Sequence, residues 1–74
     1  MEIREITNMY LTDHDRKVAD VNAFLSDGSM MKFVIKFEKD MSNIIYIDPR
    51  IDTQVNGEEN FGKIWDYYDK HQPL

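Results

Sequence analysis

Cysteine is absent from this chain, and its absence excludes both a disulfide framework and a thiolate metal centre. A cysteine-free composition suits a reducing compartment, so the expected location is cytoplasmic. Glycine (3 residues) and proline (2 residues) are scarce, and the glycines are too scattered to form a phosphate-binding loop. No apolar run approaches the roughly 20 residues that a membrane span requires, so no membrane partner is expected.

Basic residues are also few: the chain has 9 Lys and Arg residues and 14 Asp and Glu residues, which gives a net charge of −5. An acidic surface repels phosphate groups, so direct nucleic-acid binding is not expected. The same charge attracts a protein partner with a basic surface, although it also serves simply to keep a small protein soluble. Nucleic-acid binding would need one local patch made by Arg16, Lys17, Lys32, Lys36 and Lys39.

The length of 74 residues allows one domain, residues 1–74, and its 42% apolar content is typical of a folded protein. A domain of this size buries only about 60% of the surface of its unfolded chain. A deep substrate cavity would therefore remove core that the chain can hardly spare. Shallow binding surfaces and dimer interfaces are easier to build at this size.

The strongest local signal is a hairpin around Ser26-Asp27-Gly28, since Asp-Gly between two β-rich runs is typical of hairpins. A three-residue loop with Gly28 in a left-handed conformation puts all the apolar residues of one face together. The cross-strand pairs of this register are Leu25 with Ser29, Ala23 with Met31, Val21 with Phe33, and Ala19 with Ile35. A competing interpretation makes residues 13–27 a helix that ends at Gly28.

The remaining segments predict a small α+β protein. In residues 4–12, a first strand turns Met9 and Leu11 to the core and Tyr10 outward. Phe61, Ile64, Trp65 and Tyr68 form one face of a C-terminal helix that starts at Asn56 or Gly57. The predicted fold is an antiparallel meander of three to four strands, covered on one face by this helix. The predicted elements are strands 4–12, 17–25, 29–38 and 43–48 and helix 57–71.

The potential catalytic and metal-binding residues do not form a motif. Asp13-His14-Asp15 offers carboxylate and imidazole ligands, but a polar turn explains three consecutive residues better than a metal site. His71 is a conceivable general base, yet it also suits the negative end of the helix. The sequence therefore predicts no enzyme, no metal site and no cofactor.

Two surfaces are candidates for binding a partner. The outer face of the predicted sheet carries Tyr10, Val18, Phe24, Met30, Val34 and Tyr46. Contiguous apolar area of this kind marks interaction sites, although the same residues also fit a pattern of scattered surface hydrophobes. The helix end carries Asp66, Tyr67 and Asp69, which could dock a basic groove or imitate DNA phosphates, or could simply be a solvated helix face.

These features favour a small acidic protein-binding module, a regulator or inhibitor that occupies a site on a larger partner. The predicted partner-binding residues are Tyr10, Phe24, Val34, Tyr46, Asp66, Tyr67 and Asp69. The alternative is a homodimeric structural or assembly subunit without catalytic activity, paired through the outer face or an edge strand. In size and acidity the chain resembles small accessory proteins of phages and mobile elements, but no motif carries that resemblance.

Overall fold

The computed structural model describes residues 2–51, 54–55 and 58–71. Four antiparallel strands form a sheet in the order β1-β2-β3-β4, and a short second sheet pairs β5 with β6. The predicted α+β class, with a meander followed by one C-terminal helix, is confirmed. The elements are β1 Ile3–Asp13, β2 Val18–Leu25, β3 Met30–Phe37, β4 Ile44–Asp48, β5 Gln54–Val55, β6 Glu58–Glu59 and α1 Asn60–Lys70.

The β2–β3 hairpin has the predicted register. Ala23 pairs with Met31, Val21 with Phe33, and Ala19 with Ile35, which rules out a helix over residues 13–27. The loop closes through two hydrogen bonds, from Leu25 N to Ser29 O (2.8 Å) and from Gly28 N to Leu25 O (2.9 Å). Gly28 has a φ of 89°, in the left-handed region that the three-residue loop requires.

We expect Gly28→Ala to destabilise the protein by about 1–2 kcal/mol, because a Cβ disfavours left-handed backbone. The cost is purely conformational, since no atom lies within 4 Å of the position that the new Cβ would occupy. Gly28→Asn is the matched control and should lose less, because asparagine tolerates this conformation. Urea unfolding measures both variants, and an alanine variant as stable as the parent would contradict the strained-loop explanation.

Strand β1 departs from simple alternation. Ile3, Ile6 and Met9 are all buried although they are three residues apart. Register shifts against β2 between Ile3 and Glu5, and between Ile6 and Asn8, return each of them to the core face. Met9 faces the core and Tyr10 lies outside, as predicted, but the burial of Ile3 and Ile6 was not anticipated.

Helix α1 covers the inner face of the sheet. Ile64 is fully buried in the core, and Trp65 and Tyr68 pack on Phe37 of β3, with ring centroids 5.3 and 5.8 Å from it. No helix among the described residues is long and apolar enough to cross a lipid bilayer. The buried apolar core is Ile3, Ile6, Met9, Ala19, Val21, Ala23, Leu25, Phe33, Ile35, Phe37 and Ile64.

The predicted helix boundary at residue 57 is wrong, because α1 begins at Asn60. Glu58 and Glu59 form β6 and pair with Val55 and Gln54, so the chain before the helix is extended. The dipeptide Asn56-Gly57, predicted to start the helix, lies outside the described residues. In sequence it separates β5 from β6, and Asn-Gly is also the dipeptide most typical of tight hairpins, which was the missed signal.

Asn60 attaches the start of the helix to the start of the sheet. Its side chain is buried, and its Oδ1 accepts a hydrogen bond from Ile3 N at 2.9 Å. Lys63 Nζ, one turn further along α1, donates to Ile3 O. Both backbone polar groups of Ile3 are therefore satisfied by helix side chains, and these two contacts are called the Ile3 clamp below.

We expect Asn60→Ala to lower the free energy of unfolding by about 1–3 kcal/mol, because the buried Ile3 N–H loses its acceptor. Asn60→Leu keeps a similar side-chain volume without an acceptor, so a comparable loss in this variant assigns the effect to the hydrogen bond and not to lost volume. Asn8→Ala, at an exposed position of the same strand, should stay within about 0.5 kcal/mol of the parent. Thermal and urea melts measure all three, and equal stability of the Asn60→Ala and Asn8→Ala variants would contradict the clamp.

Candidate functional site

The titratable residues singled out in the sequence have structural contacts in the fold. Asp13 Oδ1 accepts hydrogen bonds from Asp15 N (3.1 Å) and Arg16 N (3.0 Å), so this carboxylate closes the β1–β2 turn. His71 Nδ1 lies 2.9 Å from Tyr67 O, and its ring stacks on the Tyr67 ring with centroids 3.8 Å apart. In the described parts of the chain, no three acidic or histidine side chains converge as a metal site would require.

The outer face of the sheet carries the predicted apolar residues, but polar residues separate them. Tyr10 OH donates to Asp20 Oδ2 (3.3 Å), and Lys32 Nζ lies 3.6 Å from the same oxygen. Arg4 Cζ lies 5.5 Å from the centroid of the Phe24 ring, a cation–π contact. The outer face therefore mixes apolar side chains with paired polar ones, and it is not one continuous apolar surface. By strand register it includes Tyr10, Val18, Phe24, Met30, Val34 and Tyr46.

The predicted acidic end of α1 lies away from that face, on the helix that covers the other side of the sheet. Asp66 and Asp69 are exposed, whereas Tyr67 is half-buried and packs against the core. Basic side chains line the groove between α1 and β1 together with Asp66. Asp66 is therefore not part of a continuous acidic surface. The groove is lined by Arg4, Glu5, Ile6, Thr7, Lys63, Asp66, Tyr67, Lys70 and His71.

Three of the five basic residues considered for a nucleic-acid patch do meet at one end of the sheet. Arg16, Lys36 and Lys39 line a shallow cleft there. Three acids line the same cleft, so its charge is balanced, and Lys32 is instead paired with Asp20. The balance removes the local positive potential that phosphate binding needs. The acids are Asp15, Glu38 and Asp40.

A surface groove in which five of the six lining residues are apolar or aromatic runs along β4, which is an edge strand of the sheet. Ile45 and Tyr46 are each 54% exposed, although both are large hydrophobic side chains. Tyr46 pairs with Lys36 and Ile44 with Phe37, so Ile45 is the extra residue of a bulge. We call this groove the β4 edge surface, and its residues are Ile44, Ile45, Tyr46, Ile47, Arg50 and Phe61.

The two edges of the sheet differ in their protection. The β1 edge is interrupted by three register shifts, and the Ile3 clamp occupies the backbone groups at its start. Bulges and covering side chains are the devices by which proteins blunt an edge strand. Strand β4 carries one register shift, at Ile45, against three in β1. Within the described residues no strand pairs with the outer edge of β4, and Ile44–Asp48 contains neither lysine nor proline. The less protected edge is therefore β4.

Of the seven predicted partner-binding residues, only Tyr46 belongs to the β4 edge surface. Ile45, Arg50 and Phe61 were missed. The run Ile-Ile-Tyr-Ile is the signal that could have found Ile45, because an unbroken apolar run in an alternating strand must turn some side chains to solvent. Nothing comparable in the sequence marks Arg50 or Phe61, whose places depend on the chain path after β4.

Comparison of the chain with protein-family models, with curated proteins and with solved structures finds no match. A function for this chain therefore has to follow from the chemistry of its own residues. Among the described residues, the β4 edge surface combines apolar exposure with an open strand edge, whereas the other grooves are charge-balanced or largely polar.

We expect Ile45→Lys to lower the free energy of unfolding by no more than about 1 kcal/mol at low protein concentration, because more than half of the side chain is already in water. Ile35→Ala, which empties a fully buried site, should cost about 2–5 kcal/mol. Denaturant unfolding of both variants tests whether Ile45 is dispensable for folding. A loss at Ile45 as large as that at Ile35 would make this side chain part of the core instead.

Proposed function

We propose that this chain is a non-catalytic protein-binding module that binds its partner through the β4 edge surface. The observation that carries the proposal is that β4 is an open edge strand with exposed apolar side chains, whereas the opposite edge of the sheet, β1, is protected. A module of this kind regulates or inhibits a partner by occupying its surface. A cytoplasmic location belongs to the same proposal and is supported by the cysteine-free composition.

The physical basis is strand addition. The open backbone edge of β4 can supply hydrogen bonds to an extended segment of the partner, and neighbouring side chains then select its sequence. Tyr46 is suited to act as an anchor because a tyrosine buries a large area while losing few rotamers. Phe61 and Ile47 are half-buried beside it and offer apolar contacts at the same edge.

The charge of the chain supports a partner with a basic surface. A net charge of −5 on a small protein steers basic partners toward it and accelerates their encounter at low ionic strength. The β4 edge surface itself carries a cation, Arg50, so specificity at the contact comes from shape and apolar burial more than from local charge.

A photo-crosslinking residue at position 46 tests the proposal in cells that express the full chain. We expect discrete protein adducts from this position, and adding Ile45→Lys should abolish them because a lysine in the groove has to be desolvated on binding. The matched control places the crosslinker at Met30, an exposed apolar residue (62%) of β3 outside the β4 edge surface. No adduct at position 46, or the same adducts at position 30, would contradict the proposed site.

A further inference from the structure

We propose that Asp27-Gly28 is a latent site of isoaspartate formation, which the native β2–β3 loop keeps unreactive through contacts with Leu25 and Ser29. In the modified form, Asp27 is joined to Gly28 through its side-chain carboxyl group instead of its backbone carbonyl. The site shares no residue with the β4 edge surface, so the inference is independent of the proposed binding function.

Sequence and exposure leave this dipeptide open to the reaction. The backbone nitrogen of the residue after an aspartate can attack the aspartate side chain, and a glycine in that place has no side chain to obstruct the attack. Asp27 and Gly28 are both exposed at the tip of the hairpin. Apart from the two flanking residues, no atom of the described chain lies within 4 Å of the position that a Cβ would take at Gly28. Steric crowding therefore does not protect the site.

The reaction has two steps and needs no reactant other than water. Gly28 N forms a bond to Asp27 Cγ, and its proton leaves together with the carboxyl hydroxyl as water, which gives a cyclic imide. Water then adds to the backbone carbonyl carbon of Asp27. Breakage of the bond from that carbon to Gly28 N leaves the two residues joined through Cγ.

The attacking nitrogen is hydrogen-bonded in the native loop. Gly28 N donates to Leu25 O at 2.9 Å. Because the imide nitrogen carries no hydrogen, this bond has to be lost when the ring closes. The same bond closes the three-residue loop in which Gly28 has a φ of 89°. The reaction therefore requires local opening of the hairpin.

The carboxylate of Asp27 is held by a second set of contacts. Its Oδ1 accepts hydrogen bonds from Ser29 N (2.9 Å) and from Ser29 Oγ (2.6 Å). These bonds stabilise the ionised form and lower the pKa of Asp27. The carboxyl group must be protonated to lose its hydroxyl as water, so contacts that stabilise the carboxylate slow the formation of the imide.

The modified loop does not fit the native register. In the isoaspartate form the main chain passes through Cβ and Cγ of Asp27, which adds one atom between Leu25 and Ser29. The hydrogen bond from Leu25 N to Ser29 O (2.8 Å) closes a ring that is sized for three intervening residues. The product, like the imide, is therefore compatible only with an altered loop.

Tryptic peptide mapping of the full chain during storage at neutral pH measures the reaction, because the two isomers have the same mass but different retention. The peptide 18–32 contains Asp27-Gly28, whereas Asn56-Gly57, which can form the same imide, lies in the separate peptide 51–63. Fragmentation of peptide 18–32 assigns the isomer to position 27. The folded chain should react at least about tenfold more slowly than the same chain in guanidinium chloride, because only opened loops react.

Three variants separate local protection from global stability. Ser29→Ala removes the 2.6 Å bond and should raise the rate in the folded chain at least about fivefold, with no change in guanidinium chloride. Ser26→Ala is the matched control, since it removes the hydroxyl on the other side of Asp27, which is not a donor to its carboxylate. Ile35→Ala weakens the buried core and should leave the rate at Asp27 unchanged while the chain remains folded.

Equal rates in the folded and unfolded chain would overturn the proposed protection. A rate in Ser29→Ala that matches the parent, or a rise in Ser26→Ala as large as that in Ser29→Ala, would overturn the role of the carboxylate contacts. If Ile35→Ala accelerated the reaction as much as Ser29→Ala, the reaction would proceed through global unfolding, which contradicts protection by the loop.

Discussion

The Ile3 clamp is the contact on which the arrangement of this small protein depends. Ile3 lies at the start of the first strand and Asn60 at the start of the only described helix, 57 residues later. Asn60 accepts from the backbone N–H of Ile3, and Lys63 donates to its carbonyl oxygen. Because the contact joins the two ends of the fold, it places α1 beside β1 and turns Ile64 into the core.

Placing the helix at this edge has a consequence for the opposite edge. A sheet of four strands has two edges, and a single helix of eleven residues cannot protect both. The β1 edge gains the clamp as well as its own bulges. At the other edge, Phe61 reaches the side of β4 while Ile45 and Tyr46 remain exposed. The open edge is thus a direct result of how the core is covered.

Sequence reasoning succeeded where the physical signal was local. The β2–β3 register follows from alternation and from Gly28, because a one-residue slip would turn every apolar side chain to the wrong face. It failed for Ile3 and Ile6, since bulges in β1 replace the period of two that a strand normally shows. It also failed for the helix start, because Asn56-Gly57 suits a hairpin as well as a helix terminus.

The candidate site was only partly predictable for a related reason. Tyr46 could be selected as an exposed aromatic residue, and the predicted meander makes 43–48 an edge strand, but no sequence pattern shows which of the two edges is left unprotected. Ile45 became part of the surface through a bulge, and Phe61 through the path of the chain between β4 and α1. These positions are set by tertiary structure and not by local sequence. The sequence pattern therefore pointed to the outer face of the sheet, where Asp20, Lys32 and Arg4 make the surface polar.

An open apolar edge is ordinarily an aggregation hazard, because each added strand exposes a new edge for the next. The asymmetry between the edges of this sheet opposes that outcome, because three register shifts and the Ile3 clamp make β1 a poor template for a further strand. The net charge of −5 further opposes open-ended stacking. One partner segment on β4, as proposed above, would therefore satisfy the open edge and leave only the blunted β1 edge exposed.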